Sequence, residues 1–153
     1  MAERIAITND FDENELEIGD ILWYRNDDLS HPTGDPHPHV IVAIEDDTIH
    51  TVCGTSQEQT IERKAQIYGY SLVLFPAINQ TSTNGLTSRT FFDCCDTYEM
   101  HRNDLQDKFQ KGEIVKVSGN VTYSEYEEIR IGLKSSGTVD IINILIHPED
   151  END

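Results

Sequence analysis

The chain has 153 residues, enough for one domain of ordinary size, and 37% of them are hydrophobic, which suffices for a packed core. Eleven Lys and Arg stand against 29 Asp and Glu, which gives a formal net charge of −18 and a pI near 4.4. Because a field of that sign repels phosphate backbones, nucleic-acid binding would need a local basic patch. The sequence also contains no apolar run long enough to span a bilayer.

Acidic residues are concentrated at the two ends of the chain, in the segments NDFDENELE and PEDEND. Such solvated segments are poor in core-forming residues. The sequence therefore predicts an acidic flank over residues 1–16, a single domain over 17–147 and an acidic tail over 148–153. The opening residues contain no apolar stretch of signal-peptide length, which predicts a cytoplasmic protein.

Strand signals dominate the first two thirds of the chain, where branched and aromatic residues are separated by turn residues. Asp46-Asp47 and Asn84-Gly85 are predicted turns. The first of these turns would make the strands on either side of it antiparallel neighbours. The predicted strands cover residues 20–24, 40–44, 48–53 and 70–75, with a further strand from 90 toward 100.

Helix signals come later in the chain. Asn103-Asp104 could cap a short helix that ends near Gly112. Ser124 and Glu127 form a predicted capping box for a helix that Gly137 would end. A closing strand is predicted over 139–146. The whole pattern predicts a mainly β fold with helical decoration: a small β-barrel with a C-terminal helix.

The segment Asp35-Pro36-His37-Pro38-His39 allows three interpretations. Two histidines separated by one residue on a strand project from the same face, so a divalent-metal site that also uses His31 and Asp35 is conceivable. The prolines interrupt the segment and no acidic or cysteine ligand returns at an orthodox spacing, so we predict no metal and no cofactor. An acid–base or phosphate-binding role for His37 and a structural loop remain the other two interpretations.

Other candidate residues also have two interpretations each. Arg89 is the one basic residue between Tyr70 and Phe92, and it could pair with a carboxylate or contact a phosphate. Trp23 could pack in the core or stack on a base. The three cysteines lack a CxxC pair and form a poor disulfide framework, so they are expected to be buried thiols.

Four short motifs occur in a characteristic order: Gly19-Asp20-Ile21-Leu22-Trp23, His37-Pro38-His39-Val40-Ile41-Val42, Val52-Cys53-Gly54-Thr55-Ser56-Gln57 and Lys111-Gly112-Glu113-Ile114. In this order they resemble the PemK/MazF family of toxin-antitoxin toxins. The likeness covers about Gly19 to Ser136. It implies an SH3-like β-barrel with a C-terminal helix.

The resemblance also implies a metal-independent endoribonuclease that cuts single-stranded RNA, works as a homodimer and is silenced by an antitoxin protein. It assigns catalysis to His37, Thr55 and Arg89. RNA binding would fall to the four residues Ser56, Gln57, Trp23 and His39. The chain departs from the family pattern at two positions: His37 replaces an arginine, and Phe91 stands where some members have an aspartate.

The net charge of −18 favours a second hypothesis with the same barrel but without catalysis. In this hypothesis the chain is an SH3-like binding module that contacts a basic or amphipathic protein segment. No Gly-rich phosphate loop, HExxH motif or nucleophile elbow supports another class of enzyme.

Overall fold

The fold was derived from a computed structural model, which describes residues 11–29 and 34–137. Within these ranges the chain forms seven strands, three helices and a short 3₁₀ turn. The strands are β1 (Asp20–Tyr24), β2 (His37–Glu45), β3 (Thr48–Thr55), β4 (Ala77–Ile78), β5 (Thr90–Phe92), β6 (Tyr98–His101) and β7 (Lys116–Asn120). The helices are α1 (Glu58–Tyr68), α2 (Arg102–Gln110) and α3 (Tyr123–Ser136). The predicted closing strand at 139–146 and the tail at 148–153 lie outside the described residues.

The strands form one curled antiparallel sheet that resembles an open half-barrel, with the order β4-β5-β3-β2-β1-β7. β3 lies at its centre, because the first half of β3 pairs with β6 and its last two residues pair with β5. This architecture confirms the prediction of a mainly β fold decorated by helices.

The β2–β3 hairpin lies at the centre of the sheet. Its turn is at Asp46-Asp47, as predicted, and Asp46 adopts a left-handed φ of 54°. Val40 and Val42 pack in one buried cluster while Ile41 packs in another, on the opposite face of the sheet. The continuous apolar run of β2 is therefore explained by burial on both faces.

A β-bulge interrupts this hairpin at Val42, because Ile41 pairs with Thr51 whereas Ala43 pairs with His50. The carbonyl of the bulged residue accepts a hydrogen bond of 2.9 Å from the hydroxyl of Tyr126 in α3. The helix thus satisfies a backbone group that the sheet leaves unpaired.

Several predicted elements are wrong in position or type. Residues 70–75 form a 3₁₀ turn at Leu72–Leu74 rather than a strand, and the hydroxyl of Ser71 caps the turn by accepting from the Val73 amide. Leu72 and Val73 are exposed, so this apolar run is not a core strand. The strand that starts at Thr90 stops at Phe92, and β6 begins separately at Tyr98. Neither α1 nor β7 was predicted.

The N-cap of the C-terminal helix lies two residues earlier than the predicted cap. Thr122, not Ser124, is the N-cap: its hydroxyl accepts from the Glu125 amide, and the Glu125 carboxylate accepts from the Thr122 amide. The helix ends at Gly137, as predicted, with the left-handed φ of 67° that glycine tolerates best. α2 is also shifted, since His101 rather than Asn103 or Asp104 caps it. No helix of the described part is both long enough and apolar enough to cross a membrane.

Candidate functional site

A hollow of about 180 Å³ opens where β1, β2, β3 and β5 come together. Five of the seven sequence-predicted site residues lie on its wall: Trp23, His37, Thr55, Ser56 and Gln57. We call this cavity the histidine hollow. Its lining residues are Trp23, Pro36, His37, Pro38, Gly54, Thr55, Ser56, Gln57, Thr87, Ser88 and Thr90.

The chemical character of the histidine hollow differs from that of the chain as a whole. The chain has 29 carboxylate side chains, yet none of those in the ranges 11–29 and 34–137 lines this cavity. Five lining residues carry hydroxyl groups, which can donate to an anionic oxygen. The composition of this lining therefore differs from that of the acidic chain.

His37 is half-buried at the start of β2, and its Nδ1 lies 3.1 Å from the carbonyl oxygen of Asp35. A carbonyl can only accept, so the Nδ1–H of His37 is the donor in this bond. In the neutral ring, Nε2 is then the unprotonated nitrogen. An imidazole in this tautomer can accept a proton at Nε2.

Thr55 ends β3, and its hydroxyl oxygen accepts a hydrogen bond of 3.1 Å from the Gln57 amide. The hydroxyl hydrogen remains available for donation into the hollow. Close packing behind the site depends on Gly54, because a Cβ at this position would lie 2.5 Å from the Thr90 methyl group. Because Gly54 has no side chain, β3 and β5 can pack closely behind the hydroxyl groups that line the hollow.

Trp23 is both a core residue and a wall of the hollow, so the two sequence interpretations of this residue are compatible. Its ring packs against the larger buried cluster, and its Nε1–H donates to the Ser118 hydroxyl at 2.9 Å. Ser118 is the extra residue of a bulge in β7, and its hydroxyl donates onward to the carbonyl of Asn84 at 2.8 Å. The indole is therefore fixed in orientation.

Arg89 is not among the residues that line the hollow, although its neighbours Ser88 and Thr90 are. Its guanidinium lies over the ring of Phe91, 5.0 Å from the centroid, and the residue is exposed. It forms no ion pair with any residue in 11–29 or 34–137, so the predicted carboxylate partner is not found there. The guanidinium is thus stacked on Phe91, next to two residues that line the hollow.

His39 lies away from the hollow and is fully buried. Its ring stacks on Tyr24 with centroids 4.0 Å apart, its Nδ1–H donates to the carbonyl of His37, and Asn26 donates to its Nε2. Burial lowers the pKa of His39 to about 3. The assignment of His39 to RNA binding is therefore corrected: the ring has no accessible surface and serves the core.

The same hydrogen bonds bear on the metal interpretation. Both nitrogens of His39 are already used, so the two histidines do not form a pair of free ligands. His31 lies outside the described residues. In the part that the structure describes, no three His, Cys, Asp or Glu side chains are grouped so that they could hold a metal ion.

A second cavity, of about 220 Å³, shares His37, Gly54 and Thr55 with the histidine hollow. We call it the lysine hollow after Lys64, whose Nζ lies 2.6 Å from Asp93 and 3.0 Å from Asp96. Burial opposes the charge of Lys64, but the two carboxylates outweigh it and raise its pKa. The remaining lining residues are Leu29, Cys53, Thr60, Ile61 and Tyr98.

The cysteines near this cavity are not activated. Burial raises the pKa of the Cys53 thiol to about 12, with Asp93 adding to the effect, and the pKa of Cys95 rises to about 12 for the same two reasons. Cys94 is buried, as expected, whereas Cys53 and Cys95 are only partly buried. All three are free thiols and poor nucleophiles.

Sequence reasoning missed Lys64 because it missed the helix that carries it. Only Ile61 of α1 is fully buried, so the segment gives a weak amphipathic signal. No protein-family model matches this chain, and no curated protein matches its sequence.

Proposed function

We propose that the chain is an endoribonuclease of the PemK/MazF type that cuts single-stranded RNA in the histidine hollow. The observation that carries this proposal is that an imidazole held through Nδ1 by a backbone carbonyl and a hydroxyl donor share one cavity that no carboxylate of the described residues lines. An acid–base nuclease needs both groups, and a phosphate needs the absence of negative charge.

Each group has a defined part in the proposed reaction. Nε2 of His37 accepts the proton of the ribose 2′-hydroxyl as the 2′-oxygen bonds to phosphorus. The hydroxyl of Thr55 donates to a non-bridging oxygen of the phosphate, which gains negative charge in the transition state. The bond between phosphorus and the 5′-oxygen breaks, the 5′-oxygen takes a proton from solvent, and a 2′,3′-cyclic phosphate remains.

Arg89 is the proposed source of positive charge. Its side chain is exposed and lies next to two lining residues of the hollow, so a change of rotamer would bring the guanidinium toward a bound phosphate. Ser56 and Gln57 are exposed at the rim, and Trp23 supplies a rigid aromatic wall. These three residues are proposed to bind the nucleotides on either side of the scissile bond.

The wider family properties belong to the same proposal. They comprise an SH3-like barrel identity for the half-barrel sheet, a homodimeric state, inhibition by an antitoxin protein, and action in the cytoplasm on messenger RNA. Their support is the order of the four sequence motifs together with the curled antiparallel sheet.

The test is incubation of the purified chain with a mixed-sequence RNA in the presence of a metal chelator. We expect cleavage products that end in a 2′,3′-cyclic phosphate, and we expect no cleavage at a 2′-deoxy nucleotide. His37→Ala and Thr55→Ala should abolish the reaction, whereas Lys111→Ala, at an exposed position outside the hollow, should not. Absence of cleavage by the unaltered chain would contradict the proposal.

A second candidate function is the SH3-like binding module without catalysis. The position of Arg89 outside the hollow lining and the net charge of −18 favour it. Such a module would bind a basic or amphipathic protein segment. Stable binding of a basic peptide together with inertness toward RNA would identify this function, and unrestricted overexpression in growing cells would agree with it.

A further inference from the structure

The two hollows described above continue into a third one along the same surface. We call it the tyrosine hollow, and its lining includes Arg63, Tyr68 and Tyr70. It shares Thr60, Lys64 and Asp96 with the lysine hollow, just as the lysine hollow shares His37, Gly54 and Thr55 with the histidine hollow. Each cavity therefore adjoins the next, and we call the row of three, which starts at the candidate catalytic residues, the track.

The far end of the track carries an aromatic pair. The rings of Tyr68 and Tyr70 are stacked with centroids 5.5 Å apart and an angle of 26° between their planes. Their side chains are 64% and 38% exposed, so both rings are partly open to solvent. An exposed ring face of this kind can accept a second planar group.

The local backbone holds this pair in place. α1 ends at Tyr68, and Gly69 adopts a left-handed φ of 68° that reverses the chain. The amide of Tyr70 then donates to the carbonyl of Ala65 at 2.9 Å. The ring of Tyr70 also lies 6.4 Å from that of Phe75, which is buried. The pair is therefore anchored to the core and is pre-organised for stacking.

The charges along the track are balanced, in contrast to the acidic chain. Lys64 neutralises Asp93 and Asp96 in part, and Arg63 forms no ion pair with another residue of the described ranges. Arg63 can therefore contact a phosphate group. An exposed aromatic platform beside a free guanidinium is the arrangement that single-stranded nucleic acids recognise, through base stacking and backbone contact.

We propose that the track binds one single strand of RNA, with the scissile phosphate between His37 and Thr55 and a more distant base stacked on the Tyr68–Tyr70 pair. This inference rests on the proposed function, because it extends the substrate beyond the cleaved bond. The chain would accordingly prefer longer oligonucleotides to short ones. Stacking on one aromatic platform changes affinity by roughly fivefold or more.

The experiment measures binding by fluorescence anisotropy. The probes are a labelled dinucleotide, tetranucleotide and octanucleotide of mixed sequence, each with a 2′-deoxy sugar at every position so that none is cleaved. We expect the unaltered chain to bind the octanucleotide more tightly than the dinucleotide. In Tyr68→Ala/Tyr70→Ala this length dependence should disappear, with dinucleotide affinity unchanged, and Tyr68→Phe/Tyr70→Phe should restore it.

Tyr123→Ala is the matched control, because Tyr123 is 43% exposed and lines none of the three hollows. Length dependence that persists in the double alanine variant would overturn the track. Loss of affinity for a basic amphipathic peptide in that variant, with oligonucleotide binding unchanged, would also overturn the track. Leu72 and Val73 are exposed close to Tyr70 in the sequence and would belong to such a peptide site.

Failure of the track and failure of the proposed function give different results. If the unaltered chain cleaves RNA but the tyrosine variants keep its length preference, the track is wrong and the nuclease stands. If the chain binds oligonucleotides in a tyrosine-dependent way without cleaving RNA, the nuclease is wrong and the track stands. If the unaltered chain binds none of the probes, the track is overturned.

Discussion

The Nδ1–H of His37 donates to the carbonyl oxygen of Asp35 across 3.1 Å. This bond closes a short loop just before β2 and determines which nitrogen of the ring is free. The same pattern recurs at His39, whose Nδ1–H donates to the carbonyl of His37. Two histidines of one strand thus have the same tautomer, but one lines a cavity and the other is sealed in the core.

The tautomer of His37 predicts a specific effect of His37→Asn. The asparagine amide can still donate toward the carbonyl of Asp35, but it provides no group at the position of Nε2. We expect RNA cleavage to fall by about 10² or more, while affinity for a 2′-deoxy oligonucleotide changes little. Single-turnover cleavage and equilibrium binding measure the two effects. Cleavage at the original rate would remove His37 from the proposed mechanism.

His39 predicts a pH dependence of stability. Its pKa is about 3 in the folded chain, against 6.5 in the unfolded chain. Between these values the unfolded chain binds the proton and the folded chain does not. The contribution of His39 to the free energy of unfolding is therefore complete above about pH 6.5 and is lost as the pH falls, at up to about 1.4 kcal/mol per pH unit.

Urea unfolding between about pH 7 and about pH 5 covers the range in which histidines titrate and most carboxyl groups do not, and comparison with a His39 variant separates His39 from the other five histidines. In His39→Gln, whose amide does not titrate, we expect a shallower slope of unfolding free energy against pH. Equal slopes in the two proteins would show that His39 titrates alike in the folded and the unfolded chain, which would contradict its lowered pKa.

Lys64 predicts a coupling between α1 and the segment that follows β5. Lys64→Met removes the partner of Asp93, whose carboxylate is only 21% exposed. We expect the free energy of unfolding to fall by about 1–3 kcal/mol, because a largely buried charge loses its compensation. The double variant Lys64→Met/Asp93→Asn should recover part of this loss. A double variant no more stable than the single one would contradict the pairing.

The absence of a side chain at Gly54 predicts that a larger residue there would force β3 and β5 apart. In Gly54→Ala the new Cβ would meet the Thr90 methyl group at 2.5 Å and the Phe92 ring at 2.7 Å. We expect a loss of about 1–3 kcal/mol in the free energy of unfolding, since the strands must separate. Adding Thr90→Ser removes one of the two clashes and should restore stability in part. Thermal unfolding of the three variants is the measurement.

Thr122 and Ser124 each begin a capping sequence of α3, and replacing them should lower the free energy of unfolding by unequal amounts. Thr122→Ala should lower the free energy of unfolding by about 1 kcal/mol, because the Glu125 amide loses its acceptor. Ser124→Ala should change it by less than about 0.5 kcal/mol, since Ser124 is exposed within the first turn. The opposite order in chemical denaturation would assign the cap to Ser124.

The strands that were predicted well are those whose burial is visible in composition. β1 and β2 carry continuous apolar or aromatic runs, β3 alternates loosely between apolar and polar residues, and these strands build the centre of the sheet. β7, with the sequence KVSGN, was missed because it ends the strand order and has no buried residue. The apolar run before Pro76 was wrongly predicted to be a strand. Leu72 and Val73 of this run are exposed in a 3₁₀ turn.

The candidate site was predictable only where neighbouring residues stay together in space. His37 and Thr55 lie on strands of one hairpin, so their proximity follows from the pairing of β2 with β3. The burial of His39 could not be predicted from its spacing relative to His37, because its partners Tyr24 and Asn26 come from another part of the chain. Lys64 could not be recognised either, because its two carboxylate partners are 29 and 32 residues away along the chain.

The hydrogen bond from Tyr126 to the carbonyl of Val42 has a consequence for the way the helix docks. An apolar stripe alone would let α3 slide or rotate on the sheet with little change in buried area. A single phenol that must meet a single bulged carbonyl excludes those shifted arrangements, because a displacement by one turn would leave both polar atoms dry and unsatisfied. The bulge in β2 thus favours one docked arrangement of α3 over others that would bury a similar apolar area.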